Sequence, residues 1–258
     1  MLSKNQIKYV RQLEQKKFRR REGLFVAEGT KVVGDLLAAG FIPTQLFATP
    51  EWLTSNHLLI LNAKFSISSV TDDELRRLSF LQHPQQVLAL FPFPSSESSA
   101  SLNSKFLIPN SLTLALDGVQ DPGNLGTIIR IADWFGIDHI YCSEDTVDAR
   151  NPKVVQATMG SIARVNILYT NLPALLDTLP PDFPVYGTFL DGENIYTQSL
   201  SKHGLIIMGN EGNGISDAIR QRVTHRLLIP NFHKGDTADS LNVAIATAIT
   251  CSEFRRRL

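Results

Sequence analysis

Cysteine is nearly absent from this chain of 258 residues: Cys142 and Cys251 are the only two, and they stand far apart. That excludes a disulfide framework, and no Cys/His spacing of the zinc-binding kind occurs. Net charge is missing as well. The formal balance is zero, which argues neither for nor against a charged partner, because local patches decide that. Long apolar runs are missing too. No stretch approaches the length needed to cross a bilayer, and Lys4 and Lys8 are followed by no apolar segment of the kind a secretory leader needs. These absences point to the cytoplasm and away from a membrane. With 43% hydrophobic and 19% charged residues, the composition is that of a globular protein, long enough for one large domain or two ordinary ones.

What charge there is lies unevenly. Lys4, Lys8, Arg11, Lys16, Lys17, Arg19, Arg20 and Arg21 crowd the N-terminus, with Glu14 the only acid before Glu22. Arg255, Arg256 and Arg257 close the chain. Taken alone, such runs read as solvated helix faces.

The pattern predicts a basic helix over Ser3–Arg21 with sparse apolar positions at Ile7, Val10, Leu13 and Phe18. A short apolar run, Phe25-Val26-Ala27, ends at Glu28-Gly29. A helix over Lys31–Ala39 stops at Gly40, strands are expected at Leu46–Ala48 and Val87–Phe91, and another helix over Asp72–Leu81. Pro92–Ser104 is rich in Ser and Pro and reads as a linker. The expected organisation is therefore a small α/β domain over 1–91, a linker over 92–104 and a larger domain over 105–258.

Beyond the linker, strands alternate with helices. Strands are expected at Leu112–Leu116, Ile140–Cys142, Val165–Leu168, Val185–Thr188, Leu205–Met208 and Arg226–Ile229. Helices are expected at Leu125–Phe135, near Val154–Ser161, and at Leu172–Thr178, Ser216–Gln221 and Asn242–Arg256. Such alternation implies a mostly parallel sheet covered on both faces. No internal repeat is visible.

Three loops at strand ends carry the chemistry-bearing residues, which is where α/β proteins place ligands. The first runs Leu116-Asp117-Gly118-Val119-Gln120-Asp121-Pro122-Gly123-Asn124-Leu125-Gly126 and on to Arg130. Asp-Pro-Gly-Asn is strong turn chemistry, and Asn124 is positioned to cap the next helix. By pattern alone, Arg130 reads equally well as an exposed helical arginine. The second loop follows Leu205–Met208 as Gly209-Asn210-Glu211-Gly212-Asn213-Gly214. Its G-x-x-G-x-G spacing is neither the dinucleotide fingerprint nor a Walker loop. Its one charge, Glu211, also fits a surface carboxylate near the helix start at Ser216. The third is Ile229-Pro230-Asn231, then Ser240-Leu241-Asn242-Val243-Ala244 opening a helix kept slim by alanines. Ser240 is a natural N-cap for it.

In this order, the three loops resemble the SpoU (TrmH-like) family of RNA 2′-O-ribose methyltransferases, within the SPOUT class. Asn124, Gly126 and Arg130 match the family's first motif. The resemblance covers the chain from about residue 112 onward. Ahead of it, the basic helix and Phe25–Gly29 resemble the ribosomal-protein-like substrate-binding domain of rRNA-directed members. Phe232–Asp239 departs from the family by a few extra residues.

The resemblance implies a parallel sheet whose C-terminal chain is threaded into a deep trefoil knot, holding S-adenosyl-L-methionine. It implies a homodimer packed through the knot region, and an RNA substrate, rRNA being favoured. By residue match, Thr188, Met208, Gly209, Ile229 and Leu241 would hold the cofactor. Arg130 would carry catalysis, with Asn124, Glu211, Ser240 and Asn242 ordering the site. A guanidinium stays protonated, so Arg130 suits an electrostatic stabiliser or phosphate clamp better than a base. With RNA as substrate, the basic N-terminus becomes a candidate for phosphate contact. The alternatives are a tRNA 2′-O-methyltransferase and a non-catalytic RNA-binding or ribosome-assembly module. A nicotinamide-dependent enzyme fails on the glycine spacing.

Overall fold

A computed structural model of the protein describes residues 2–61, 63–93, 111–233, 235 and 238–256. The linker expected over Pro92–Ser104 lies outside the described residues from position 94 on, as do Lys234, Asp236 and Thr237 of the long loop and Arg257 of the basic tail. The chain forms two compact units. One comprises the described residues of Met1–Glu97 together with Asp148–Arg164; the other comprises those of Ser98–Val147 with Val165–Leu258.

The first unit opens with two helices where one was expected, α1 (Lys4–Gln12) and α2 (Lys16–Glu22). Ser3 and Gln6 close a capping box on α1. The break buries Leu13 and frees the Leu13 and Glu14 carbonyls, which accept hydrogen bonds from Arg19 Nη1 at 2.9 and 2.6 Å. Gly23, at φ +64°, ends α2 in the left-handed conformation.

Next come β1 (Leu24–Glu28), α3 (Thr30–Ala38), β2 (Gln45–Ala48), α4 (Pro50–Ser55), α5 (His57–Ile60), β3 (Ser66–Ser69), α6 (Asp72–Leu78) and β4 (Val87–Pro92). The sheet order is β1-β4-β2-β3, with β4 antiparallel to both neighbours and β3 parallel to β2. The sequence pattern missed α4, α5 and β3. The first two are short, and the third is an exposed Ser-Ile-Ser-Ser edge with no apolar alternation. A core of Val10, Leu13, Val26, Phe47, Leu75, Leu88 and their neighbours joins α1 and α6 to one face of this sheet.

The second unit begins with β5 (Leu112–Asp117), α7 (Pro122–Trp134) and β6 (His139–Cys142). The chain then passes through Asp148–Arg164, which contains α8 (Pro152–Ala157) and a 3-10 turn at Ser161–Ala163. By its contacts this segment groups with the first unit. The reason lies in its side chains. Asp148 Oδ2 pairs at 2.5 Å with Arg19, which is buried to 1% exposure, and Arg164 pairs with Asp35 at 3.1 Å.

The second unit resumes with β7 (Asn166–Tyr169), α9 (Leu172–Asp177), β8 (Val185–Asn194), β9 (Gly204–Gly209), α10 (Asp217–Arg220), β10 (His225–Leu228) and α11 (Val243–Arg256). Its sheet is parallel throughout, in the order β10-β8-β9-β5-β6-β7. The central strands β5 and β9 are buried along their whole length, as a sheet covered on both faces requires. Among the described residues, no helix is long and apolar enough to cross a membrane.

Candidate active site

The three loops singled out in the sequence meet at the C-terminal ends of β5 and β9. The register sets this: Asp117, the last residue of β5, pairs with Gly209, the last of β9. Beyond those residues, side chains of each loop bind the backbone of the other. Asp117 Oδ2 accepts a hydrogen bond from Ser216 N at 2.7 Å, and Asn210 Nδ2 donates to the Gly118 carbonyl at 2.6 Å. Asn210 Oδ1 also accepts from Gly212 N and Asn213 N, and its backbone exchanges two hydrogen bonds with Gly214. The loop thus folds back on itself. A Cβ at Gly209 would lie 2.3 Å from Gly214 C and from Ile215 N, so only glycine fits there.

Glu211 faces the start of α7, not the helix after Ser216. Its carboxylate accepts from Asn124 Nδ2 at 2.9 Å and from Gln120 N and Asp121 N, each at 3.3 Å. Partial burial alone would push this carboxyl up. The hydrogen bonds from Asn124 and from backbone N–H groups, including those of Gln120 and Asp121, outweigh that and hold it below its ordinary range.

Asn124 is not the cap of α7. Asp121 is, with Oδ1 accepting from Asn124 N at 2.8 Å and Pro122 following in the first turn. The Asn124 side chain is released for a longer-range task. It donates to Glu211 and accepts from Asn242 Nδ2 at 2.9 Å. Nor is Ser240 the cap of α11. Asn242 Oδ1 accepts from Ala244 N at 2.9 Å and Ile245 N at 3.3 Å, while its amide reaches Asn124. A chain Asn242–Asn124–Glu211 therefore connects all three loops.

Beside this chain lies a cavity of about 670 Å³, within the size range of small-molecule sites. Thr188, Met208, Gly209, Ile229 and Leu241 all line it, as do Glu211 and Ser240. Asn124, Asn242 and Arg130 do not. Arg130 sits on the exposed side of α7, and among the described residues no hydrogen bond or ion pair engages its guanidinium.

Among the cavity residues that the sequence did not mark as site residues are Phe189, Leu190, Asp191 and Arg220. The strand predicted to end at Thr188 runs on to Asn194. Its ladder with β10 jumps from Gly187↔Arg226 to Glu193↔Leu227. Residues 188–192 therefore have no β10 partner in the ladder, and four of the five line the cavity. The only sequence signals were Gly187 and Gly192, which make room for this excursion. A Cβ at Gly187 would lie 2.6 Å from the Phe189 ring, and one at Gly192 2.6 Å from Leu227 C.

Comparison with known proteins agrees along the whole chain. A family model described as the SpoU rRNA Methylase family matches residues 111–252, and one described as the MRM3-like substrate binding domain matches residues 4–89. The chain is 30% identical over 256 residues, 98% of its length and 97% of the relative's, to the 23S rRNA (guanosine(2553)-2'-O)-methyltransferase RlmP of Bacillus subtilis. It is 33% identical over 149 residues, 57% of this chain and 58% of the other, to the 23S rRNA (guanosine-2'-O-)-methyltransferase RlmB of Neisseria meningitidis. Among solved structures, an AdoMet-bound rRNA methyltransferase from Sinorhizobium meliloti has a TM-score of 0.88 at 31% identity, with 100% of this chain and 97% of that one covered.

Proposed function

The chain belongs to the SpoU rRNA methylase family, and we propose that it transfers a methyl group from S-adenosyl-L-methionine to a ribose 2′-hydroxyl of rRNA. The observation that carries this reading is the Asn242–Asn124–Glu211 chain, which draws the three loops together at the edge of one cavity. The rRNA substrate is supported by the relatives named for 23S rRNA and by the substrate-binding family model over residues 4–89.

The residues present suit the cofactor. Met208, Ile229, Leu241 and Val243 give the cavity apolar surface for an adenine ring, and Gly209 brings backbone to its wall. Thr188, Met208, Gly209, Ile229 and Leu241 would hold it. When bound, S-adenosyl-L-methionine supplies an electrophilic methyl group on a sulfonium.

The protein's own part is positioning and charge. Glu211, Asn124 and Asn242 fix the loops, and Ser240 presents a hydroxyl to the cavity. Arg130, with its guanidinium unengaged within the described chain, binds the developing 2′-alkoxide or a neighbouring phosphate.

The trefoil knot and the homodimer form part of the same reading. Three segments of the unit (β8, β9 with its loop, and the stretch from Leu228 into α11) line one cavity, which suits a threaded chain end. Trp134, 85% exposed at the end of α7, and Ile245, exposed in the first turn of α11, give apolar surface that a second copy would cover. A cytoplasmic location belongs to the same reading and is supported by the two free cysteines, Cys142 and Cys251.

The test is methyl transfer from labelled S-adenosyl-L-methionine to purified rRNA and, separately, to tRNA, with Arg130→Ala as control. Label in rRNA that is lost in the variant is the expected result. Label in tRNA alone would overturn the substrate, and cofactor binding without label in either would favour the non-catalytic module.

A further inference from the structure

Of the charged side chains lining the cavity among the described residues, Asp191, Glu211 and Asp239 are acidic and Arg220 alone is basic. Neither Asp191 nor Arg220 lies in the three loops, and neither takes part in the Asn242–Asn124–Glu211 chain. Both are nevertheless held with care. The excursion of β8 from its ladder carries Phe189 and Asp191 out together. Phe189 is buried, and its ring supports two guanidinium groups, Arg220 at 4.7 Å and Arg226 at 5.7 Å from the ring centre. Asp191 Oδ2 accepts a hydrogen bond from Arg220 Nη2 and lies 3.9 Å from Arg226 Nη1. The Arg220 side chain is 32% exposed and that of Asp191 59%, so the pair is open to a ligand.

We propose that the Asp191–Arg220 pair recognises the amino-acid end of the cofactor, Arg220 binding its α-carboxylate and Asp191 its α-ammonium. The inference rests on the cofactor reading above. S-adenosyl-L-methionine joins a flat, largely apolar adenosine to a zwitterion. The apolar walls suit the first part, and one anion beside one cation is complementary to the zwitterion. Glu211 is already committed to Asn124 and to two backbone N–H groups, which makes it less suited to the ammonium than Asp191. Asp239 stands on an exposed loop, whereas Asp191 is fixed by two arginines. Stacking on Phe189 orients the Arg220 fork and leaves donors beyond Nη2 for a second carboxylate.

Calorimetry on the full chain tests this with two ligands, S-adenosyl-L-homocysteine and 5′-methylthioadenosine, the second lacking the amino-acid end. Arg220→Ala is expected to weaken S-adenosyl-L-homocysteine about tenfold, the effect of one charge-assisted hydrogen bond at a partly exposed site. Binding of 5′-methylthioadenosine should change by less than about twofold, which also shows that the variant is folded. Decarboxylated S-adenosylmethionine separates the two roles: Asp191→Asn should weaken it and Arg220→Ala should not. Equal losses for both first ligands, or no loss for either, would overturn the proposal and leave the pair as packing or as an RNA contact. Failure of the wild-type chain to bind either ligand would instead refute the cofactor reading, and this inference with it.

Discussion

Replacing Glu211 by glutamine tests the connection among the three loops with almost no change of shape. The carboxylate accepts from Asn124 Nδ2 through one oxygen and from Gln120 N through the other. An amide retains one oxygen, so whichever way it turns, an NH₂ group meets a donor. At least one charge-assisted hydrogen bond is lost. In a buried site that would cost about 1.5–3 kcal/mol; at this partly exposed one, screening reduces the loss to about 1 kcal/mol. For a unit of this size the melting temperature falls by about 2–4 °C. The effect has a pH signature. The folded protein holds Glu211 below its ordinary value of 4.5, so its contribution is complete above that value. It disappears as the pH falls through the folded pKa and the carboxylate takes up a proton. Wild type and Glu211→Gln should therefore melt apart at pH 7, and the gap should narrow as the pH is lowered through the folded pKa, as followed by calorimetry. A gap that does not narrow on acidification, or no gap at pH 7, would show that the carboxylate's charge does not hold these loops.

Other perturbations have separate expected outcomes. Arg130→Ala should lower kcat for methyl transfer by about 100-fold or more while leaving S-adenosyl-L-homocysteine affinity within about twofold, because Arg130 does not line the cavity; parallel turnover and calorimetry decide this. Gly209→Ala drives a Cβ into backbone at 2.3 Å, so a loss of about 1–3 kcal/mol and of cofactor binding is expected in denaturant titration. Asp148→Ala strips a buried guanidinium of its counter-ion and should destabilise the first unit by about 3–5 kcal/mol; a loss below about 1 kcal/mol would mean that the Leu13 and Glu14 carbonyls satisfy Arg19 alone. Changing the exposed Lys16, Lys17 and Arg20 to glutamine should flatten the salt dependence of RNA binding, by about 0.7–0.9 in slope for each phosphate that is no longer neutralised.

Much of the catalytic unit was legible because parallel sheets leave a strong trace. Strands such as Leu112–Asp117 and Gly204–Gly209 are continuous apolar runs, buried on both faces, and end in glycine, asparagine and proline where the chain must turn. Short polar elements left no such trace. The Ser66–Ser69 strand exists only because β2 offers it a ladder, and the break between α1 and α2 depends on Arg19 finding carbonyls and Asp148, the latter 129 residues away. Capping was misassigned for a similar reason. Asp121 and Asn124 are both competent N-caps, as are Ser240 and Asn242. Which one serves is decided by what else each side chain can reach, and Asn124 reaches Glu211 and Asn242.

The sequence by itself determined the composition of the site: the turn residues, the glycines without which backbone would collide, and the order of three loops along the chain. Local rules of φ, periodicity and capping are written residue by residue, so they survive in a linear reading. Only the tertiary structure decided which loop residues touch, that Asp148–Arg164 groups with the first unit, and that β8 leaves its ladder to bring Phe189 and Asp191 to the cavity beside Arg220. Those outcomes depend on register and on partners tens of residues away, where the free energy belongs to a pair and neither residue alone carries it.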